Sequence, residues 1–363
     1  MNIQVNNQKY IQKQKIPNFM MEVIMNPLDY EILKMIEQNK SLNEITRVLE
    51  ISNKELYDKL QDLRNIGINT YKKYQYDGNI NYGIIKNFSL NKIHNPEIKI
   101  VLPKEERYFK AIVLSDLHIG SKKERLDLLE QVYDYCIKNN INIILNCGDL
   151  VDGLYHISKA SIDMAYDEIN KMLEKHPFDK NILNFICLGN HDMYFLERFG
   201  INVRNIIQAN RHDLIPISYG LGGIKIKKDL IFLSHKLSNK NPVIYEPDKI
   251  IFEGHSHYTN FYLNEKNNNK LFKVPSLSDI QRNASMPSFY EINFEFNDDG
   301  LFNVGQIKLI TLKKDKFVIS ETKEYNFITE EEKNINTNND EKFEQLINEF
   351  KTKSKKKKKN KYE

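Results

Sequence analysis

FKAIVLSDLHIG, residues 109–120, runs a mostly apolar segment straight into an aspartate, a histidine and a glycine. A short apolar run bounded by turn residues is the pattern of a buried strand. The same join recurs four times: NIILNCGDLVDG (142–153), LNFICLGNHD (183–192), LIFLSHK (230–236) and KIIFEGHSH (249–257). Amphipathic helical segments at 122–139 and 158–176 separate the first three runs. Alternating strand and helix signals predict a layered α/β domain. The expected strands continue from LFKVPS at 271–276 to about Ile310.

The residues after these strands share one chemistry. They are Asp116 and His118, Asp149, Asn190, His191 and Asp192, His235, and His255 and His257. Carboxylates, imidazoles and an amide oxygen, with no thiolate among them, suit hard to borderline divalent metals. Strand ends in an α/β sheet converge on one crevice. On an extended segment Asp116 and His118 face the same way, as do His255 and His257, because side chains alternate with period two. Gly148, Gly189 and Gly254 allow sharp turns directly before the ligands. Such a set is expected to hold two metals about 3.5–4 Å apart. A single Asp-x-His carries little signal; five such segments in order, each tied to a strand end, carry much more.

Asp-x-His, Gly-Asp, Gly-Asn-His-Asp, a lone His and Gly-His-x-His resemble the calcineurin-like metallophosphoesterase family across about residues 109–310. The resemblance implies an αββα sandwich with a dinuclear centre. In it Asp116, His118 and His257 bind one metal, Asp149 bridges both, and Asn190, His235 and His255 bind the other. It assigns His191 as proton donor to the leaving oxygen and Asp192 as the residue that orients His191. The implied reaction is in-line attack on phosphorus by a metal-bridging hydroxide. Mn²⁺ is the expected metal, with Fe, Zn or Mg as alternatives. Phosphoprotein phosphatases of the family read Gly-Asp-x-Val-Asp-Arg-Gly, whereas here Asp152 is followed directly by Gly153. The missing arginine, and the likeness of SDLHIGS and GDLVDG to DNA-processing members, favour nucleic acid as substrate. Among weaker candidates, Tyr155 and His156 read as loop residues and His176 as a helix C-terminal dipole partner. Arg211 could meet substrate phosphate, and Ser276 could lie near the metals.

Upstream of this domain, Pro27 suits a first helical position, and Leu28, Ile32, Leu33 and Ile36 follow helical spacing. Ile45, Val48 and Leu49 form a second stripe. Ser52 and Glu55 have capping-box spacing before Leu56, Leu60 and Leu63. Asp77-Gly78 then divides a run rich in β-branched and aromatic residues, which is a hairpin signal. Residues 26–87 therefore resemble a small α+β winged helix-turn-helix domain. Its third helix would read nucleic acid, although Lys54, Lys59 and Arg64 are balanced by Glu55, Asp58 and Asp62. The expected organisation is an extension (1–25), the winged helix (26–87), a connector (88–107), the phosphoesterase domain (108–312) and a C-terminal segment (313–363). That segment comprises a strand, an acidic stretch with a short helix around Phe343–Phe350, and a disordered lysine-rich tail.

In the 363-residue chain, hydrophobic residues make up 40% and charged residues 28%. That is enough apolar matter for a core and excludes a wholly disordered chain. From Lys351 on, eight lysines and one glutamate contribute +7, which leaves the rest of the chain at −3 of the net +4. No apolar run approaches the roughly 18–20 residues of a bilayer span, so no membrane contact is expected. The N-terminus lacks a small-residue cleavage site, and Glu22 interrupts its apolar cluster. Cys136, Cys147 and Cys187 lie in apolar runs with no CxxC spacing, as buried thiols of a cytoplasmic protein would.

The function expected is a metal-dependent nucleic-acid phosphodiesterase, a nuclease or end-processing enzyme, with DNA favoured over RNA. One alternative acts on small nucleotides or phosphomonoesters and uses the winged helix to dock a protein. Another is a DNA-binding regulator with an inactive phosphoesterase scaffold. The full ligand set argues against that last reading.

Overall fold

The computed structural model describes residues 26–65, 68, 70–84, 98–155, 157–237, 243, 247–281 and 285–327. The N-terminal extension, His156, the expected helix at Phe343–Phe350 and the lysine-rich tail lie outside the described residues. The chain divides into two compact units, residues 1–73 with 79–93, and residues 74–78 with 94–363.

In the first unit, α1 (Pro27–Glu37), α2 (Leu42–Leu49) and α3 (Asn53–Asn65) precede the start of β1 (Thr70–Gln75), whose Tyr74 and Gln75 fall in the second unit, and β2 (Ile80–Ile84). Each helix starts where its caps dictate. The Asn26 side chain accepts from the Leu28 N–H at 2.9 Å, ahead of Pro27. Ser41 and Glu44 exchange capping-box bonds at the start of α2, and Ser52 and Glu55 do the same before α3. Each cap is worth about 1 kcal/mol. Ile32, Leu33, Ile36, Ile45, Leu56, Leu60 and Leu63 are buried, as their spacing predicts. Val48 is not: it is 59% exposed, and Leu42 joins Ile45 in the interior instead. Leu42, Ile45 and Leu49 share one face of this helix, and the helical turn carries position 48 beyond it. Asn81 donates from Nδ2 to the Asn39 carbonyl at 2.6 Å and fastens the start of β2 to the α1–α2 turn.

The second unit is a mixed α/β fold with two sheets. One has the order β15 (Lys316–Asn326), β14 (Phe302–Lys313), β13 (Ser288–Phe296), β4 (Tyr108–Leu114), β5 (Ile143–Asn146), β6 (Leu183–Leu188), β7 (Leu214–Tyr219). From β4 to β7 it is parallel, and from β4 to β15 antiparallel. The other runs β11 (Asn260–Asn264), β12 (Asn269–Lys273), β10 (Ile250–Glu253), β9 (Asp229–Ser234), β8 (Leu221–Ile226), β3 (Ile98–Val101), and β3 pairs with Tyr74 and Gln75. The unit's helices are α4 (Leu126–Lys138), α5 (Ile162–Lys175), α6 (Asn190–Phe199) and α7 (Val203–Asn210). They bury Leu128, Leu129, Val132, Ile169, Met172, Phe195 and Ile207 against Ile112, Leu114, Ile144, Ile186 and Phe289 of the seven-stranded sheet. Full burial of such a side chain contributes about 1.5–3 kcal/mol.

Three expectations are corrected. The second helical layer of an αββα sandwich is absent among the described residues, since all four helices of this unit pack into the one cluster with the seven-stranded sheet. The connector expected over 88–107 contains β3, whose Ile98–Ile100 pair in parallel with Ile224–Ile226. A boundary at 312 would cut β14, and the sheet continues through Asn326 because β15 pairs with β14 along its length. Cys136, Cys147 and Cys187 are free and buried, and burial pushes the Cys187 thiol up to about 12. No helix among the described residues is long and apolar enough to cross a membrane.

Candidate metal centre

β4, β5 and β6 of one sheet and β9 and β10 of the other end where the candidate residues begin. Beyond the strands the chain turns sharply. Asp116, His118, Asp149, His255 and His257 all have left-handed backbone, with φ from 47° to 63°. This corrects the extended geometry expected for Asp116–His118 and His255–His257: it is turns, not pleat alternation, that aim these side chains. Left-handed backbone costs a non-glycine residue of order 1 kcal/mol or more, and such strain clusters at functional sites. Parallel loop bonds hold it in place, with the His118 N–H donating to the Asp149 carbonyl and the Ile119 N–H to the Leu150 carbonyl, both at 3.0 Å.

Two glycines are needed for close approach. A Cβ on Gly189 would stand 2.2 Å from Asp149 Oδ1, and one on Gly254 2.1 Å from Ser115 Oγ and 2.9 Å from Asp116 Oδ2. Backbone N–H groups then fix the carboxylates. His255 N–H donates to Asp116 Oδ2, and His191 N–H to Asp149 Oδ1, each at 3.0 Å.

Three groups of ligand atoms gather within 4.8 Å of one another: Asp116, His118 and His257; His118, Asp149 and His191; and Asp149, His235 and His255. Asn190 joins the third, with Oδ1 at 3.1 Å from His235 Nε2. Every expected site residue except Asp192 therefore faces the centre. The tautomers show what the centre fits. His235 Nδ1 bonds the Cys147 carbonyl at 2.9 Å, and His257 Nδ1 the Ile280 carbonyl at 2.6 Å. A carbonyl only accepts, so each Nδ1 carries a proton and each ring turns its Nε2 inward, the nitrogen left to ligate a cation once it sheds any proton. His235 Nε2 then meets Asp149 Oδ2 at 3.0 Å and His255 Nδ1 at 3.2 Å, while His257 Nε2 meets His118 Nε2 at 3.4 Å. Acceptor atoms crowded together in a buried space fit a cation between them, and the carbonyl bonds are the outer contacts that orient metal-ligating histidines.

The electrostatics agree. Burial would raise the Asp116 carboxyl, but His257, His235 and His118 hold it below the usual carboxylate range. Asp149 is lowered in the same way, burial being outweighed by His235. Burial opposes charge on His235, yet Asp149 pushes it up to about 9. Burial, then His235 and Lys236, push His255 down to about 4. Two buried carboxylates thus draw protons onto the imidazoles; a divalent cation supplies the same compensation and releases those protons.

Other assignments change. Asp192 acts on the His191 loop through the backbone rather than by bonding the ring. Its carboxylate accepts the backbone N–H groups of Gly189 (2.7 Å), Val151 (3.0 Å) and Leu150 (3.3 Å), tying two loops together. The Asp152 carbonyl orients His191, taking Nδ1–H at 2.6 Å. Sequence reasoning missed this contact because a main-chain oxygen leaves no residue-type signal. Ser276 is buried and donates to the Asp116 carbonyl at 2.8 Å. Arg211 is not at the centre: it pairs with Asp213 at 2.7 Å and donates to the carbonyls of Leu173, His176 and Pro177. His176 is no dipole partner, because burial and then Arg211 push it down to about 4 and keep it neutral.

Glu168 lies behind the centre and accepts the Gly153 N–H at 2.7 Å. Burial, and then Asp152, push its carboxyl up from 4.5 to about 7. A folded-state value above the unfolded one means that its stabilising contribution is complete below about pH 4.5 and lost as pH rises through about 7. Glu168→Gln keeps the acceptor and cannot ionise. It should raise Tm relative to wild type at about pH 8 and not at about pH 4. A Tm difference that is the same at both pH values would show that this carboxyl is not the titrating group.

The layered fold and the buried, cation-shaped His/Asp centre define a metal-dependent phosphoesterase, a hydrolase. The chain belongs to the calcineurin-like phosphoesterase family, whose model matches residues 109–358. Solved structures similar to it include a phosphoesterase, Yfce, from E. coli (16% identity, covering 61% of this chain and 100% of that one, TM-score 0.36). A dimetal phosphatase from Danio rerio matches at 7% identity over 61% of this chain and 100% of that one, TM-score 0.38. Pseudomonas putida nuclease MPE matches at 14% identity over 50% of this chain and 82% of that one, TM-score 0.29. No curated protein matches the sequence.

Proposed function

We propose that this chain is a dinuclear-metal phosphodiesterase acting on nucleic acid, DNA before RNA. The observation that carries the proposal is Asp149, which lies in two of the ligand groups and so can bridge two cations. Asp116, His118 and His257 would hold one; Asn190, His235 and His255 the other. We take Mn²⁺ as the ion, and a nitrogen and oxygen donor set without thiolates admits Fe, Zn or Mg as well. When bound, such ions activate water for in-line attack on phosphorus and offset charge on its non-bridging oxygens.

The protein's own groups supply the rest. The Asp152 carbonyl holds the proton on His191 Nδ1, so Nε2 is the nitrogen that exchanges a proton with the leaving oxygen. Asp149 and Asp192 keep the His191 loop in place through backbone N–H groups. The first unit supports a nucleic-acid substrate: three capped helices and a hairpin follow the winged-helix order. Lys59 in α3 is paired with Asp29 at 3.3 Å and Asp62 at 4.0 Å, so a phosphate contact from that helix would rest on Lys54 and Arg64, with Glu55 and Asp58 opposing it. The same unit could also dock a protein partner. The three buried thiols suit a cytoplasmic protein.

A screen of divalent metals against single- and double-stranded DNA and RNA, a nucleotide and a phosphomonoester tests the reading. Cleavage of DNA with Mn²⁺, and DNA binding that weakens linearly in log salt, are expected. Hydrolysis of phosphomonoesters alone, or DNA binding with no hydrolysis under any metal, would overturn it.

A further inference from the structure

His191, Tyr194 and Arg198 occupy positions i, i+3 and i+7 of α6 and therefore share a face of that helix. Tyr155, from the loop after β5, lies across this face. Its ring centroid is 4.7 Å from that of His191 and 5.9 Å from that of Tyr194. The Arg198 guanidinium lies 5.6 Å from the Tyr194 ring, and its Nη1 donates to Tyr194 Oη at 2.7 Å. The row His191–Tyr155–Tyr194–Arg198 thus runs from the candidate metal centre outward. It is not core packing: Phe195 anchors α6 in the interior, whereas Tyr155 is 54% exposed and Arg198 is exposed. An exposed aromatic ring held beside a candidate proton donor is placed to meet the part of a substrate next to the reacting bond.

We propose that Tyr155, backed by Tyr194 and Arg198, is a specificity-determining shelf on which an unpaired nucleobase stacks beside the scissile phosphate. This rests on the nucleic-acid reading above. Stacking needs a base face that is not covered by its neighbours, so the substrate is a single strand or a frayed end. Every base offers a π-face, so the shelf selects for a base without selecting which one. The Arg198 cation at the outer end suits the next phosphate along the strand.

The test compares two substrates with Mn²⁺: a deoxydinucleotide with one phosphodiester bond, and its analogue with both bases replaced by hydrogen. For the wild-type chain, kcat/KM should favour the base-bearing substrate by about tenfold or more, largely through KM. Tyr155→Leu, which keeps bulk without a π-face, should bring the ratio close to one, and Tyr155→Phe should retain it. The ratio isolates the shelf, because any effect transmitted through His191 acts on both substrates alike. A wild-type ratio of one, or a ratio retained in Tyr155→Leu, overturns the shelf and leaves the nucleic-acid reading standing. Hydrolysis of a phosphomonoester but of neither dinucleotide overturns both.

Discussion

Asp149→Asn is expected to abolish phosphoesterase activity and to lower the bound divalent metal in the purified protein. Asparagine preserves the Oδ1 acceptor for the His191 N–H at 3.0 Å, so the loop keeps its bond. What it removes is the negative charge shared by the two ligand groups that contain Asp149. Oδ2, now an amide nitrogen, would face His235 Nε2 at 3.0 Å as a donor and fill the space of a ligand with a hydrogen bond. Losing the Lewis-acid contribution removes several kcal/mol of transition-state stabilisation, a fall in kcat/KM of about 10³-fold or more. The metal-free variant should melt below metal-free wild type near neutral pH, because it loses the attraction between the Asp149 carboxylate and His235, which lowers the one pKa and raises the other. Elemental analysis, activity and thermal melting read the three effects separately. Full metal content with full activity would remove Asp149 from the centre.

The second large effect is expected at His191. Its Nδ1 is fixed to the Asp152 carbonyl, so Nε2 alone is available for proton exchange. Two of the three ligand groups do not include it. His191→Ala should therefore lower kcat by about 10²–10⁴-fold, the usual worth of a positioned acid or base, while the metal stays bound. The loss should shrink on an ester whose leaving group needs no proton, such as a nitrophenyl phosphodiester. Metal lost in step with activity would make His191 a ligand, and equal losses on both kinds of ester would deny it the proton.

Most of the second unit was legible because its signals are local. Apolar runs at 109–114, 143–146, 183–188, 230–234 and 249–253 each became a strand or the greater part of one, since a buried strand needs little beyond a short stretch of apolar residues. The caps at Ser41 and Ser52 were legible for the same reason, as both partners of each cap lie within one turn of helix. The strand β3 was not, because four residues following Pro96 carry too little pattern to stand out from a connector.

The sequence by itself determined which side chains could form a metal centre and in what order they arrive, since the donor types and their places after strands are properties of short segments. Only the tertiary structure decided how they are aimed. The left-handed turns at Asp116, His118, Asp149, His255 and His257 are held by hydrogen bonds between loops far apart in the chain. The same long-range packing drew Arg211 to the carbonyls of Leu173, His176 and Pro177, gave Asp192 to the Val151 backbone N–H, and brought Tyr155 against His191. Residue type fixes what a side chain can bond. Which partner it meets depends on contacts between segments tens of residues apart, and those exist only once the sheets have packed.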